Sequence, residues 1–290
     1  MQLKLFKTLW GHDGPFQTAV QQAAAADFTG IEGPAPADPM EANEWLSMLA
    51  DQQLEFIAEI CTAGSYVPDR HASLQQHLDD FAEQLERSLP MQPLFVNCLG
   101  GADAWPEAQS IEFFSQAINM ADHAGVQVSF ETHRGRTLFN PWVTDRIASA
   151  LPHIKLTCDY SHWCVVCERL VDTEQPILNN LARHAHHIHA RVGYDQGPQV
   201  PHPGAPEYAT ALHAHQSWWE AMWQTQLDRG RTFTTMTPEF GPDGYLHHIP
   251  FSDEPVADLW ELNCWIANEE RNHITRWLNQ KSQQNTEVNT

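Results

Sequence analysis

The stretch Ile154 to Trp163 closes a short apolar run on the carboxylate of Asp159 and follows it, three residues later, with the imidazole of His162. In a parallel α/β protein, the residue at the C-terminal end of a strand faces the ligand. A carboxylate taken out of water there needs a metal, an arginine or a substrate cation as partner. Three other strand-like runs end in the same manner, at Glu131, His189 and Glu239. Three carboxylates and one imidazole suit Mn²⁺, Mg²⁺ or Co²⁺ better than a thiolate-rich zinc site would. One divalent ion is therefore expected, Mn²⁺ first, with Mg²⁺, Co²⁺ or Zn²⁺ as substitutes. Strand alternation puts His187, His189 and Arg191 on one face, and His189 is taken as the imidazole ligand.

Eight strand-like segments, near residues 3, 28, 54, 94, 126, 154, 186 and 232, must position these groups. Helical patterns follow them over 16–27, 41–52, 69–89, 106–123, 141–151, 173–184, 206–227 and 255–278. Strict alternation predicts a parallel sheet. Eight units in 290 residues predict a single closed (β/α)8 TIM barrel over residues 1–280, with a polar C-terminal tail at 281–290. The rival is a doubly wound open sheet, but the first loop, Gly11-His-Asp-Gly14, is not the G-x-G-x-x-G that a nucleotide-binding sheet would carry.

Thirty-seven acidic side chains against sixteen basic ones give a net charge of −21. Phosphate neutralisation drives nucleic-acid affinity, so this balance argues against DNA or RNA as partner. No signal-peptide pattern opens the chain and no apolar run is long enough for a membrane helix, so a cytoplasmic protein with no membrane partner is expected. Six cysteines do not make a disulfide framework at this length, and Cys164-Val-Val-Cys167, without a second such pair, reads as structural.

The motifs Phe130-Glu131-Thr132, Asp159-Tyr-Ser-His162, His187-Ile-His189 and Pro238-Glu239-Phe240 resemble those of the sugar isomerase/epimerase group of xylose-isomerase-like barrels, also called AP endonuclease family 2. The resemblance implies that Glu131, Asp159, His189 and Glu239 bind one metal, that His162 contacts substrate oxygen, and that Arg191 assists. It also implies that Glu131 and Glu239 exchange protons with substrate carbon on opposite faces of an enediolate, while Glu131, Glu239 and His162 each stand as candidates for the catalytic base. A metal that polarises the carbonyl lowers the barrier to removing the adjacent C–H, and paired carboxylates can serve as acid and base.

The run Thr132-His133-Arg134-Gly-Arg136 is cationic for so acidic a chain. Its functional reading is recognition of a substrate carboxylate or phosphate by His133, Arg134 and Arg136; its plain one is a loop paired with surface acids. Asp195, Gln196 and the Pro-rich loop holding His202 stand where related epimerases carry other substrate contacts, so His202 joins the candidates. Trp218, Trp219, Met222 and Trp223 form a stripe that packs on the barrel wall or, in the alternative, serves a homo-oligomer interface.

The expected function is thus a metal-dependent isomerase or epimerase of a sugar or sugar acid. A lyase (dehydratase, decarboxylase or C-glycoside-cleaving enzyme) would start from the same enolate chemistry. An abasic-site endonuclease fits the same resemblance but not the charge. A non-catalytic barrel or accessory subunit would have no use for four retained ligands.

Overall fold

Short strands buried on both faces, separated by Pro- and Gly-punctuated loops, close into one ring in sequence order. The computed structural model describes residues 1–242 and 244–288, with side chains up to residue 284. The strands are β1 (Gln2–Thr8), β2 (Gly30–Gly33), β3 (Glu55–Cys61), β4 (Val96–Leu99), β5 (Val128–Glu131), β6 (Leu156–Cys158), β7 (Ala185–His189) and β8 (Phe233–Thr237). All pairings are parallel, and β1 against β8 closes the ring with Leu3 opposite Thr234.

The helices are α1 (Phe16–Ala25), α2 (Pro39–Asp51), α3 (Leu74–Ser88), α4 (Glu107–Ala124), α5 (Pro141–Ala150), α6 (Ser161–Val166), α7 (Gln175–Leu181), α8 (Ala209–Asp228) and α9 (Leu259–Val288). Their starts follow local chemistry. Asp38 accepts from the Met40 amide, Asn140 accepts from the Val143 amide at 2.9 Å, and Ser73 with Gln76 forms a reciprocal capping box. Helix α4 stops on Gly125, whose φ of +73° is left-handed.

Phe6, Ile57 and Phe95 fill the barrel interior at its lower level. Gly30 is required beside them, since a Cβ there would lie 2.3 Å from the Glu55 carbonyl oxygen and 2.5 Å from the Phe6 ring. The His187 ring lies above this apolar layer, with its centroid 5.2 Å from that of Phe95. The larger core packs the strands' outer faces against the helices.

The expected barrel is present, with four local differences. Helix α3 begins at Leu74 rather than 69, because the Ser73 capping box fixes the start and leaves a long β3–α3 loop. Between β6 and β7 stands an extra helix, α6, so the single helix expected over 173–184 shrinks to α7 with 3₁₀ turns on either side. Helix α9 starts at Leu259 rather than 255, with the Asp258 side chain accepting from the Glu261 amide at 2.8 Å. It then runs to Val288, through most of the segment expected as a polar tail; residues 289 and 290 lie outside the described residues.

Trp218, Trp219, Met222 and Trp223 are all buried within the chain itself, which accounts for the stripe by packing alone. Among the described residues no helix is long and apolar enough to cross a membrane. All six cysteines are free.

Candidate metal centre

Glu131, Asp159, His189 and Glu239 converge at the C-terminal end of the barrel. One ligand atom from each lies within 4.8 Å of all the others, and all four residues are buried. Strand ends β5 and β7 supply Glu131 and His189; Asp159 and Glu239 stand just past β6 and β8.

The imidazole is oriented from behind. His189 Nε2 lies 3.1 Å from Glu32 Oε1, while the other Glu32 oxygen is 3.1 Å from His187 Nε2 and accepts from the Thr237 hydroxyl. His189 Nδ1 therefore points at the carboxylates, 2.8 Å from Glu239 Oε2 and 3.6 Å from Glu131 Oε2. Although 2.8 Å apart, the buried His189 Nδ1 and Glu239 Oε2 make no hydrogen bond to each other or to any other group, Glu239 Oε2 having only the Arg191 guanidinium 3.4 Å away. Orphaned donor atoms of this kind, ringed by carboxylates, fit a divalent cation.

Asn97 on β4 donates to Glu131 Oε2 at 3.1 Å. Asp159 Oδ1 accepts from the Ser161 amide at 3.0 Å and from its hydroxyl, and Oδ2 accepts from Arg191 Nη2. Arg191, wholly buried, also reaches the Glu239 carbonyl oxygen at 3.2 Å and lies 2.6 Å from His162 Nε2.

Burial dominates the electrostatics. It raises Glu131, with the Glu239 and Asp159 charges adding to the effect while His189 opposes it. It also pushes Glu59, at the inward-facing end of β3, up to about 8, with help from the nearby Glu239, Glu131 and Glu32 charges. Burial alone would lower His189, but Glu239, Glu32 and Glu131 outweigh it and hold the imidazole well above its ordinary value. His162 and His133 are pushed down by burial and by the cations around them, so both are neutral acceptors or donors.

Above the centre lies a cavity of about 210 Å³. Glu59, Glu131, Glu239, His133 and Arg191 supply its polar surface, and Trp10, Tyr66 and Tyr245 its aromatic walls. Trp10 stands over the Arg191 guanidinium, 5.3 Å from ring centre to carbon, and packs flat on Gly241, where a Cβ would come within 2.0 Å of the indole.

The remaining expected substrate contacts separate. His133 lines the cavity, its ring centroid 3.9 Å from that of His162. Arg134 sits at the rim, with its guanidinium 5.0 Å from the centre of the Tyr245 ring. Arg136 does not face the cavity. The turn at Gly135, φ +79°, separates it from Arg134, and its guanidinium is buried against the carbonyl oxygens of Thr62 at 2.8 Å, Tyr66 at 3.1 Å, Gly101 at 3.2 Å and Ser65. It secures the β3–α3 loop instead of meeting substrate. His202 also lies off the cavity, since its Nδ1 accepts from the Gly204 amide and its ring packs edge-on against Trp265.

Glu32, Glu59 and Asn97 were not among the expected site residues. Glu59 and Asn97 stand two residues beyond the interior residues Ile57 and Phe95 and so share their face, and a period-two reading through β3 and β4 would have found both.

No curated protein sequence matches this one. Among solved structures, an L-ribulose 3-epimerase superposes with a TM-score of 0.65 at 11% identity, covering 97% of each chain. Endonuclease IV from Thermus thermophilus superposes at 0.59 with 13% identity, over 95% of this chain and 100% of that one. A barrel protein from Mycobacterium smegmatis in complex with magnesium superposes at 0.57 with 14% identity, over 91% and 95% of the two chains. At these identities the likeness establishes the fold. A family model matches residues 20–201, well over half of the chain, and on that match, carried by a closed eight-stranded barrel, the chain belongs to the xylose isomerase-like TIM barrel family.

Proposed function

We propose that the protein is a divalent-metal-dependent sugar isomerase or epimerase that moves a proton at a carbon beside a carbonyl. The observation that carries this reading is the pairing of two carboxylates, Glu131 and Glu239, on one cavity at the C-terminal end of the barrel, both directed at His189 Nδ1. A divalent ion held by Glu131, Asp159, His189 and Glu239 would polarise the carbonyl and offset the charge that develops as the C–H bond ionises. Glu131 and Glu239 are the proton-transfer pair, reaching the substrate from strands three places apart in the ring. Arg191, which lines the cavity, binds substrate oxygen, and His162, 2.6 Å from it through Nε2, positions its guanidinium. Trp10, Tyr66 and Tyr245 shield the cavity from water. The small cavity suits a single monosaccharide-sized ligand. With Arg136 engaged elsewhere, Arg191 is the one guanidinium that lines the cavity, and it already pairs with Asp159, which favours a neutral sugar over a sugar acid.

The test is proton NMR in D₂O with protein stripped and reloaded with Mg²⁺, against ketoses, keto-acids and sugar acids. The expected result is deuterium at a carbon next to a ketose carbonyl, lost in Glu131→Gln and in Glu239→Gln while the fold is kept. Elimination products without exchange into recovered substrate would replace this reading with a lyase.

A further inference from the structure

The other end of the barrel carries a second cavity, of about 590 Å³, with opposite chemistry. It is lined by the segments that lead into β6, β7 and β8 and by the C-terminal turn of α8, so it opens on the face away from the candidate metal centre. Lys155, Arg183, Arg229 and Arg231, four of the sixteen Lys and Arg side chains, line it together with His184 and His186. No Asp or Glu among the described residues does, although acids outnumber bases 37 to 16 in the chain.

These cations have no ion-pair partner among the described residues. Lys and Arg ion pairs there use Lys4, Arg146, Arg169, Arg191 and Arg276, and none of the four in the cavity. Lys155 donates only to the side-chain oxygen of Gln127, and Arg231 Nη1 to the His186 carbonyl oxygen at 3.1 Å. At the floor, Gln226 is 1% exposed; its amide nitrogen donates to the Ala185 carbonyl oxygen at 3.2 Å, and its side-chain oxygen is buried without a partner. Burial and mutual repulsion act on the cluster, and both Lys155, beside Arg231, and Arg231, beside Arg229, are pushed below their ordinary values. Lys155 and Arg231 are half-buried, Asp122 opposes the shift only at Lys155, and with no acid lining the cavity an anion that joins the cluster is favoured.

We propose that this cavity binds a small organic polyanion carrying two or more phosphate or carboxylate groups. Three guanidiniums supply planar forks that match such groups. The volume exceeds what one inorganic phosphate fills and lies within the range of small-molecule sites. The inference does not depend on the proposed catalytic reading.

The test is titration calorimetry of the metal-loaded protein at low ionic strength, with tripolyphosphate as the phosphate probe and citrate as the carboxylate probe. One saturable site is expected for at least one probe, and whichever binds tells the source of the anionic groups. The double variant Arg183→Gln/Arg229→Gln alters two exposed side chains, so it keeps the fold, and it should weaken binding tenfold or more. Because both probes chelate metals, Glu131→Gln is the control for the opposite face and should bind unchanged. Dissociation constants above about 1 mM for both probes, binding indifferent to the double variant, or binding lost in Glu131→Gln would each overturn the proposal.

Discussion

His189 directs Nε2 at Oε1 of Glu32 across 3.1 Å, and this contact decides which ring nitrogen is free to face the carboxylates. Glu32 is itself buried and held strongly ionised; burial alone would raise its carboxyl, but the His189 and His187 imidazoles outweigh that cost and lower it.

Replacing Glu32 by Gln should therefore harm the proposed metal centre without removing any of its four proposed ligands. Outer partners of ligating histidines are commonly worth 10- to 100-fold in metal affinity, and a loss on the order of tenfold is expected in Mn²⁺ titrations of Glu32→Gln. Wild-type affinity in a folded variant would show that Glu32 does not set the imidazole's orientation.

Arg136 is a structural cation, so its substitution should act on the β3–α3 loop. Its guanidinium joins carbonyl oxygens of Thr62, Ser65, Tyr66 and Gly101, which tie residues 62–66 to the strand β4 end. Arg136→Ala leaves those acceptors unpaired and should cost about 3–5 kcal/mol. The checks are thermal unfolding and limited proteolysis, with new cleavage expected between residues 62 and 72. Arg136→Lys should recover little, since an ammonium cannot span the same fork.

A pH effect is expected far from the cavity, between α8 and α9. His273 bridges Glu270 and Glu220, each contact 2.8 Å. Burial opposes its charge, yet the Glu270 and Glu220 carboxylates outweigh burial and raise it above 6.5. Burial also raises Glu270, so both shifts favour a proton bound in the folded state. The stabilisation is full below the unfolded pKa of His273 and is lost as pH rises through its folded value. His273→Gln should lower Tm by about 2–6 °C at pH 6, and the gap should close toward pH 9. A gap that widens with pH would reverse the assigned direction.

The barrel and the convergence of Glu131, Asp159, His189 and Glu239 were legible because a strand-end residue is fixed by topology alone once the strands are counted. Tertiary capture was not. Arg134 and Arg136 look equivalent in sequence, and only the turn at Gly135 with four backbone carbonyls 35 to 74 residues upstream separates a rim cation from an internal strut. Glu32 ends a strand as visibly as Glu131 does, but its role comes from His187, His189 and Thr237, more than 150 residues away. The long α9 was cut short because its last turns carry no apolar stripe.

The register of β1 against β8 has a consequence for how the protein is made. Trp10, just past β1, stands over Arg191 and packs on Gly241, just past β8, and Glu32 of β2 accepts from the Thr237 hydroxyl of β8. The pocket thus depends on partners more than 200 residues apart, the contacts that cost most to form and so come late. A nascent chain on the ribosome holds every proposed ligand through His189 yet has neither Glu239 nor a closed ring. Tight metal capture would then mark completed synthesis, sparing half-made chains from loading.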